Sequence, residues 1–288
     1  MNSDINALIN GVGVVGGGTM GAGIAYVFAT AGVPTTVVEP DGGRAAGLVG
    51  SLQVRARRGV ERGKLDAARA DALDGLLSVT DAVDGLPEGL DLVIETVPER
   101  QALKLDVLAA AEARVPALLA SNTSALSIDE LAGALARPEA FLGMHFFNPV
   151  WSLPLVEIVR GEATSEAAIA AARAAAVAIG KESILVRNVP GFATSRLDNI
   201  AAFEAMRMLE QGVASAEDID RAAVLAYGHP IGPLHLSDIV GLDVRLDIAR
   251  NLSGIYGEAY APPAVLEQLV ERGDLGRKTG RGFFDWTA

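Results

Sequence analysis

Three glycines and one acid set the first chemistry this sequence could do. In VVGGGTMGAGIA, Gly16, Gly18 and Gly21 stand in a G-x-G-x-x-G spacing, after a run of valines and before a helical pattern. Gly16 would permit a tight turn, Gly18 would let backbone approach a pyrophosphate, and Gly21 would let the helix pack on the sheet. The free N–H groups at the helix start would then face the phosphates. Thr19 and Met20, between the last two glycines, belong to the same cofactor loop. Glu39 ends the next apolar run, where a carboxylate can accept hydrogen bonds from both hydroxyls of an adenosine ribose. It would repel a 2′-phosphate, and Arg44 nearby would temper that repulsion, so the expected cofactor is NAD in preference to NADP. Without a ligand these residues would be a glycine-rich turn and a solvated acid. Strand, helix and acid occurring together favour the dinucleotide.

Such a site needs a sheet beneath it. Short runs of Val, Ile and Leu alternate with helical patterns as far as Val189, the sign of βαβ units and a parallel sheet. Strands are expected at Gly13 to Val15, Thr35 to Val38, Leu92 to Ile94, Ala117 to Ala120, Phe141 to His145, Leu155 to Val159 and Ile184 to Val186. Beyond Asn188 the strand-like runs stop and helical patterns such as Leu197 to Gln211 and Glu217 to Tyr227 take over. The expected fold is α/β: a Rossmann-type, mostly parallel domain over residues 1–188, followed by an all-α domain over residues 189–288.

Composition removes several classes. With 50% hydrophobic and 21% charged residues, the 288-residue chain has the make-up of a folded globular protein. No apolar stretch is long enough to span a membrane, since even Ala167 to Ile179 is broken by Arg173. MNSDINALINGVGVV lacks the basic start of a secretory leader, so the expected setting is the cytoplasm. The absence of cysteine rules out thiolate metal sites and a cysteine nucleophile. His229 and His235 lack a metal-ligand spacing and are read as a turn and a helix face, so no metal is expected. A net charge of −12 argues against a nucleic-acid partner; Arg55, Arg57 and Arg58 are a local basic exception.

The segments LVIETVPERQALK, SNTSALSI, FLGMHFFNPV, LVEIV, PGFATSRL, HPIGPLHLSDIVGLDV and GRKTGRGFFDW occur in an order that resembles the L-3-hydroxyacyl-CoA dehydrogenase family over essentially the whole chain. The resemblance implies that His145 is the catalytic base, oriented by Glu157, and that Ser124 hydrogen-bonds the reacting oxygen. Imidazole titrates near the pH at which such a base is most useful, and a carboxylate against the ring would stabilise the imidazolium that forms. The resemblance also implies cofactor-side roles for Asn122, Asn148 and the pair Glu99 and Lys104. Considered singly, His145 would be a packed core residue, Ser124 a helix cap, Asn148 a turn residue, and Glu99 with Lys104 an exposed helix pair.

Three departures fall where the substrate would be read. Ser195 replaces the asparagine usual in the PGF-x-x-N-R motif, Leu153 and Pro154 replace a Met-Lys pair, and Arg55, Arg57 and Arg58, with Lys64, replace most lysines of the carrier-phosphate region. Ser195 is kept among the catalytic candidates, and the basic group is assigned to the carrier. The expected activity is NAD-dependent interconversion of a short-chain (S)-3-hydroxyacyl-CoA and the 3-ketoacyl-CoA by a homodimer. Alternatives are the same hydride transfer on a hydroxyacyl-acyl carrier protein or a free hydroxy acid, and a non-catalytic NAD-binding structural protein.

Overall fold

The computed structural model describes residues 9–287; the expectation about a leader concerns the chain start, and residues 1–8 lie outside the described residues. The chain divides into two compact units, Met1–Val189 and Pro190–Ala288. The first runs β1 (Val12–Val15), α1 (Thr19–Thr30), β2 (Thr35–Val38), α2 (Gly42–Glu61), α3 (Ala67–Leu76) and β3 (Leu77–Thr80). It continues through β4 (Leu92–Glu95), α4 (Gln101–Glu112), β5 (Leu118–Ser121), α5 (Ile128–Ala132), β6 (Phe141–Phe146), β7 (Leu155–Arg160), α6 (Glu166–Ala178) and β8 (Glu182–Arg187).

The eight strands form one sheet in the order β3-β2-β1-β4-β5-β6-β7-β8. All pairings are parallel except β6 with β7. Strands β1, β4, β5 and β6 are buried at every position, which explains why their sequences read as continuous apolar runs. The expected Rossmann-type sheet is therefore present, with one strand more than the sequence signalled. The missed strand, β3, reads LSVT at the sheet edge, and only Leu77 in it is buried. An edge strand with one buried position out of four does not show the continuous apolar run by which the central strands are recognised.

Chain order reverses direction between β1 and β4, so a crevice opens beyond their carboxyl ends, where such sheets bind ligands. Helix α1 is buried along most of its length, whereas α2 buries only Leu48, Leu52 and Ala56, one stripe at four-residue spacing. The carboxylate of Asp41 caps α2 by accepting from Arg44 N, and Asp66 caps α3 by accepting from Ala68 N.

The second unit is helical: α7 (Thr194–Glu210), α8 (Ala216–Tyr227), α9 (Pro233–Val240), α10 (Leu242–Tyr256) and α11 (Ala264–Glu271). Its core gathers Phe203, Met206, Leu234, Leu246, Leu252 and Leu266. Two buried acids organise it. Asp220 accepts the N–H groups of Leu234 and His235, both at 2.8 Å, and so caps α9 with negative charge. Asp238 accepts from Phe283 N and Phe284 N, each at 3.0 Å, and from the Trp286 indole at 2.8 Å. Gly276 and Gly282 let the chain pass close by, since a Cβ at either would lie within 2.3 Å of an Asp238 oxygen.

Asp238→Ala would leave three donors without their anion. We expect a loss of about 3 kcal/mol in unfolding free energy, measured by urea titration. Trp286 emission should shift to the red in a Trp151→Phe background, which leaves it the single tryptophan.

Candidate active site

The glycine turn leaves β1 at its carboxyl end. Gly16 has φ +110, and a Cβ at Gly21 would lie 1.8 Å from the Gly16 carbonyl oxygen, so both positions exclude other residues. A Cβ at Gly18 would meet nothing within 4 Å, and no side chain caps α1. Thr19 is exposed and Met20 half-buried beside this uncapped helix start. The opening, the free helix start and the acid beyond β2 fit a dinucleotide pyrophosphate and ribose.

That acid, Glu39, is buried against the turn: a Cβ at Gly17 would come 2.9 Å from Glu39 Oε2. Its Oε1 accepts from Arg44 Nη2 at 2.8 Å and from Asp41 N at 2.9 Å. The Arg44 hydrogen bond outweighs burial and holds the carboxyl below its usual range, so Glu39 is an anion at neutral pH.

The one antiparallel pairing sets His145 directly opposite Glu157. Both are buried, and His145 Nδ1 lies 2.8 Å from Glu157 Oε2. A carboxylate only accepts, so Nδ1 carries the proton and Nε2 is the basic nitrogen. Ser124 Oγ is 3.2 Å from Nε2, and the Phe147 ring packs 4.5 Å from the imidazole. Three side chains remote in sequence thus converge at the carboxyl rim of the sheet. An imidazole, a carboxylate and a hydroxyl in this arrangement have the chemistry to remove a proton from an alcohol.

Ser124 stands in the turn after β5, and Glu99 holds that turn. Its Oε1 accepts from the Thr123 hydroxyl and from the N–H groups of Ser124 at 3.0 Å and Ala125 at 3.1 Å. Burial pushes the Glu99 carboxyl up, but the Thr123 and Lys104 contacts outweigh it and leave it lowered. Ser127, not Ser124, caps α5.

Lys104 is not the exposed helix residue that its spacing alone would allow. It is 1% exposed, and its ammonium donates to Glu95 Oε1 at 2.8 Å, Glu95 Oε2 at 2.9 Å and the Val97 carbonyl at 3.2 Å, with Glu99 Oε2 also 3.2 Å away. With its donors committed, it positions the acids around it. Glu95, buried and bonded also to Ser121 Oγ at 2.6 Å, was missed from sequence. The available sign was that it ends β4 as Glu39 follows β2. Burial pushes its carboxyl up despite Lys104.

Asn122 Oδ1 accepts from Phe146 N at 2.8 Å, fastening the end of β5 beside His145. Asn148 is exposed, and its bond to Pro149 is cis. Arg55, Arg58 and Lys64 line a cleft of about 720 Å³ together with Arg62, Arg69 and Trp151. The Arg55 guanidinium lies 3.4 Å from the Trp151 ring centre. Arg57 is exposed and does not line the cleft. On α2, positions 55, 58 and 62 share a face and 57 does not, so helical spacing would have chosen Arg62 in its place. The buried Lys181 ammonium holds the cleft-side loop by donating to the carbonyls of Val150 at 2.6 Å and Leu153 at 2.5 Å. Burial without a counter-ion lowers the Lys181 pKa.

Ser195 lies in the second unit, in the first turn of α7, where it accepts from Asn199 Nδ2 at its Oγ (3.1 Å) and its carbonyl (2.7 Å). His229 is exposed after α8, and His235 stacks on Phe284 at 3.9 Å; no group of metal ligands occurs among the described residues.

Comparison with known proteins gives a consistent result. Residues 11–189 match the family model described as 3-hydroxyacyl-CoA dehydrogenase, NAD binding domain, and residues 191–286 match that of its C-terminal domain. A 3-hydroxybutyryl-CoA dehydrogenase of Mycobacterium tuberculosis is 42% identical over 287 residues, spanning 96% of this chain and 99% of that protein. Among solved structures, FadB2 of M. tuberculosis aligns with a TM-score of 0.87 at 42% identity, covering 97% of this chain and 99% of that one. The (S)-3-hydroxybutyryl-CoA dehydrogenase of Ralstonia eutropha aligns with a TM-score of 0.91 at 36% identity, covering 97% and 100%.

Lys104→Met should strand Glu95 as a buried acid and lower stability by about 3–5 kcal/mol at neutral pH. The folded protein would then hold a proton on Glu95 that the unfolded chain releases, so stability must fall as pH rises. Denaturant titration at pH 5 and pH 8 should show the larger loss at pH 8, and Lys104→Met with Glu95→Gln should remove that difference.

Proposed function

The chain belongs to the 3-hydroxyacyl-CoA dehydrogenase family, an NAD-dependent oxidoreductase acting on 3-hydroxyacyl-CoA, and on that premise we propose how its residues carry the reaction and which acyl groups it takes. The observation that carries the reading is the contact of His145 with Glu157 on one ring nitrogen and Ser124 on the other. His145 Nε2 removes the proton from the 3-hydroxyl while Ser124 donates to the same oxygen as it becomes a carbonyl. Glu157 fixes the tautomer and stabilises the imidazolium. NAD supplies the hydride acceptor when bound. The glycine turn and the start of α1 receive its pyrophosphate, with Glu39 at the adenosine ribose.

The substrate is a short-chain (S)-3-hydroxyacyl group on CoA. Arg55, Arg58 and Lys64, with Arg62 and Arg69, offer a basic wall for its phosphates. An acidic acyl carrier protein would be drawn by the same charges, so the carrier is decided by rates. Ser195 stays a substrate-side candidate on the motif PGFATSRL alone. The enzyme works as a homodimer through its second unit, a reading supported by exposed Leu225, Tyr227, Val244 and Ile255. Its setting is the cytoplasm; among the described residues no helix is long and apolar enough to cross a membrane.

NADH absorbance with 3-hydroxyacyl-CoA esters of increasing chain length, set against carrier-protein and free-acid counterparts, tests the proposal; the highest kcat/KM should fall on a short CoA ester. His145→Gln should lower kcat by about 10²–10⁴-fold with NAD affinity intact, and Glu157→Gln should lose less. NAD should exceed NADP in kcat/KM, and Glu39→Ser should narrow that gap, because Arg44 would be released to meet a 2′-phosphate.

A further inference from the structure

Five cations converge on the cleft of the first unit without a counter-ion. Arg55, Arg58, Arg62, Lys64 and Arg69 line it, and none of them joins an ion pair among the described residues. In a chain where acids outnumber bases 36 to 24, such an unmatched wall stands out from the rest of the surface. Arg55 is also held in place. Its guanidinium carbon lies 3.4 Å from the centre of the Trp151 ring. At that separation a guanidinium standing on edge would press a nitrogen into the indole, so the two faces lie nearly parallel. The N–H donors then radiate in the plane of the stack, and no hydrogen bond among the described residues takes any of them.

The indole is fixed in turn. Tyr26, buried on α1, meets it edge to face with ring centres 6.4 Å apart. Gly23 on the same helix lets the loop come close, since a Cβ there would lie 2.8 Å from Val150 Cγ2 and 3.7 Å from Trp151 Cζ3. Lys181 fastens the Val150 carbonyl at 2.6 Å. A flat cation on a fixed ring gives up little freedom when its edge meets phosphate oxygens, whereas an unstacked arginine must first be ordered. We propose that Trp151 is a positioning residue that keeps Arg55 flat with its donor edge toward the cleft. The stack thereby favours thioesters whose carrier bears phosphates over those whose carrier bears none. This rests on the reading that the cleft receives the phosphates of the carrier.

The test measures kcat/KM for reduction of a 3-ketobutyryl group carried by CoA and by N-acetylcysteamine, which offers the thioester but no phosphate; the readout is the ratio of the two. Trp151→Ala and Arg55→Ala should each lower that ratio about 2- to 10-fold, through KM for the CoA ester more than through kcat. Arg55→Lys keeps the charge but not the planar face, and should lose nearly as much as Arg55→Ala. Trp151→Phe keeps a ring face and should lose less than Trp151→Ala. In the Arg55→Ala background, Trp151→Ala should cost about twofold or less, because its effect passes through the guanidinium. Both substrates slowed alike in Trp151→Ala would mark the indole as mere packing for the loop and overturn the proposal. Equal losses from Trp151→Ala in both Arg55 backgrounds would overturn it too, as would a lower ratio in Arg58→Ala with none in Trp151→Ala. A ratio unmoved in Arg58→Ala and Arg62→Ala as well would overturn the underlying reading of the cleft, and the proposal with it. Should Trp151→Ala fail to fold, Trp151→Phe and Arg55→Lys carry the same comparison.

Discussion

The arrangement of the reaction centre depends on one reversal of strand direction. In a sheet otherwise parallel throughout, β7 runs against β6, and this puts Glu157 directly across from His145. Facing positions of adjacent antiparallel strands keep their side chains within reach, so the hydrogen bond needs no adjustable loop. A shift of one residue would send one of the two side chains to the other face. Burial then makes the pair effective, since a carboxylate screened from water polarises the imidazole more strongly than an exposed one would.

Around that pair the site is built by acids serving as fasteners. Glu99 gathers backbone N–H groups to shape the turn that holds Ser124, Lys104 keeps Glu99 and Glu95 together, and Asn122 ties β5 to the residue after His145. Their effect is to hold the reacting side chains within the narrow tolerance that catalysis demands.

What the sequence disclosed follows from how local each signal is. The glycine turn was legible because tight turn, close approach and helix start all fall within six residues. The central strands were legible because burial on both faces demands apolar runs. The edge strand β3 was not, since Leu77 alone of its four residues is buried. The burial of Lys104 was not legible either: an E-x-x-x-x-K spacing looks the same whether the helix faces water or the sheet, and only packing against β4 distinguishes them. Arg57 lies off the cleft that Arg55 and Arg58 line, because on a helix adjacency in sequence is not adjacency in space. The Asn199–Arg245 contact spans 46 positions and leaves no periodic trace.

The loop joining β6 to β7 has a double allegiance. It closes the hairpin that aligns His145 with Glu157, and its Trp151 forms part of the basic cleft. Lys181 grips it through the carbonyl oxygens of Val150 and Leu153, which every amino acid possesses. Side chains there can therefore be exchanged during evolution without loosening the grip. Leu153 and Pro154 are two positions where such an exchange leaves the loop held. The register that sets His145 against Glu157 is thereby kept apart from the side chains that face the cleft.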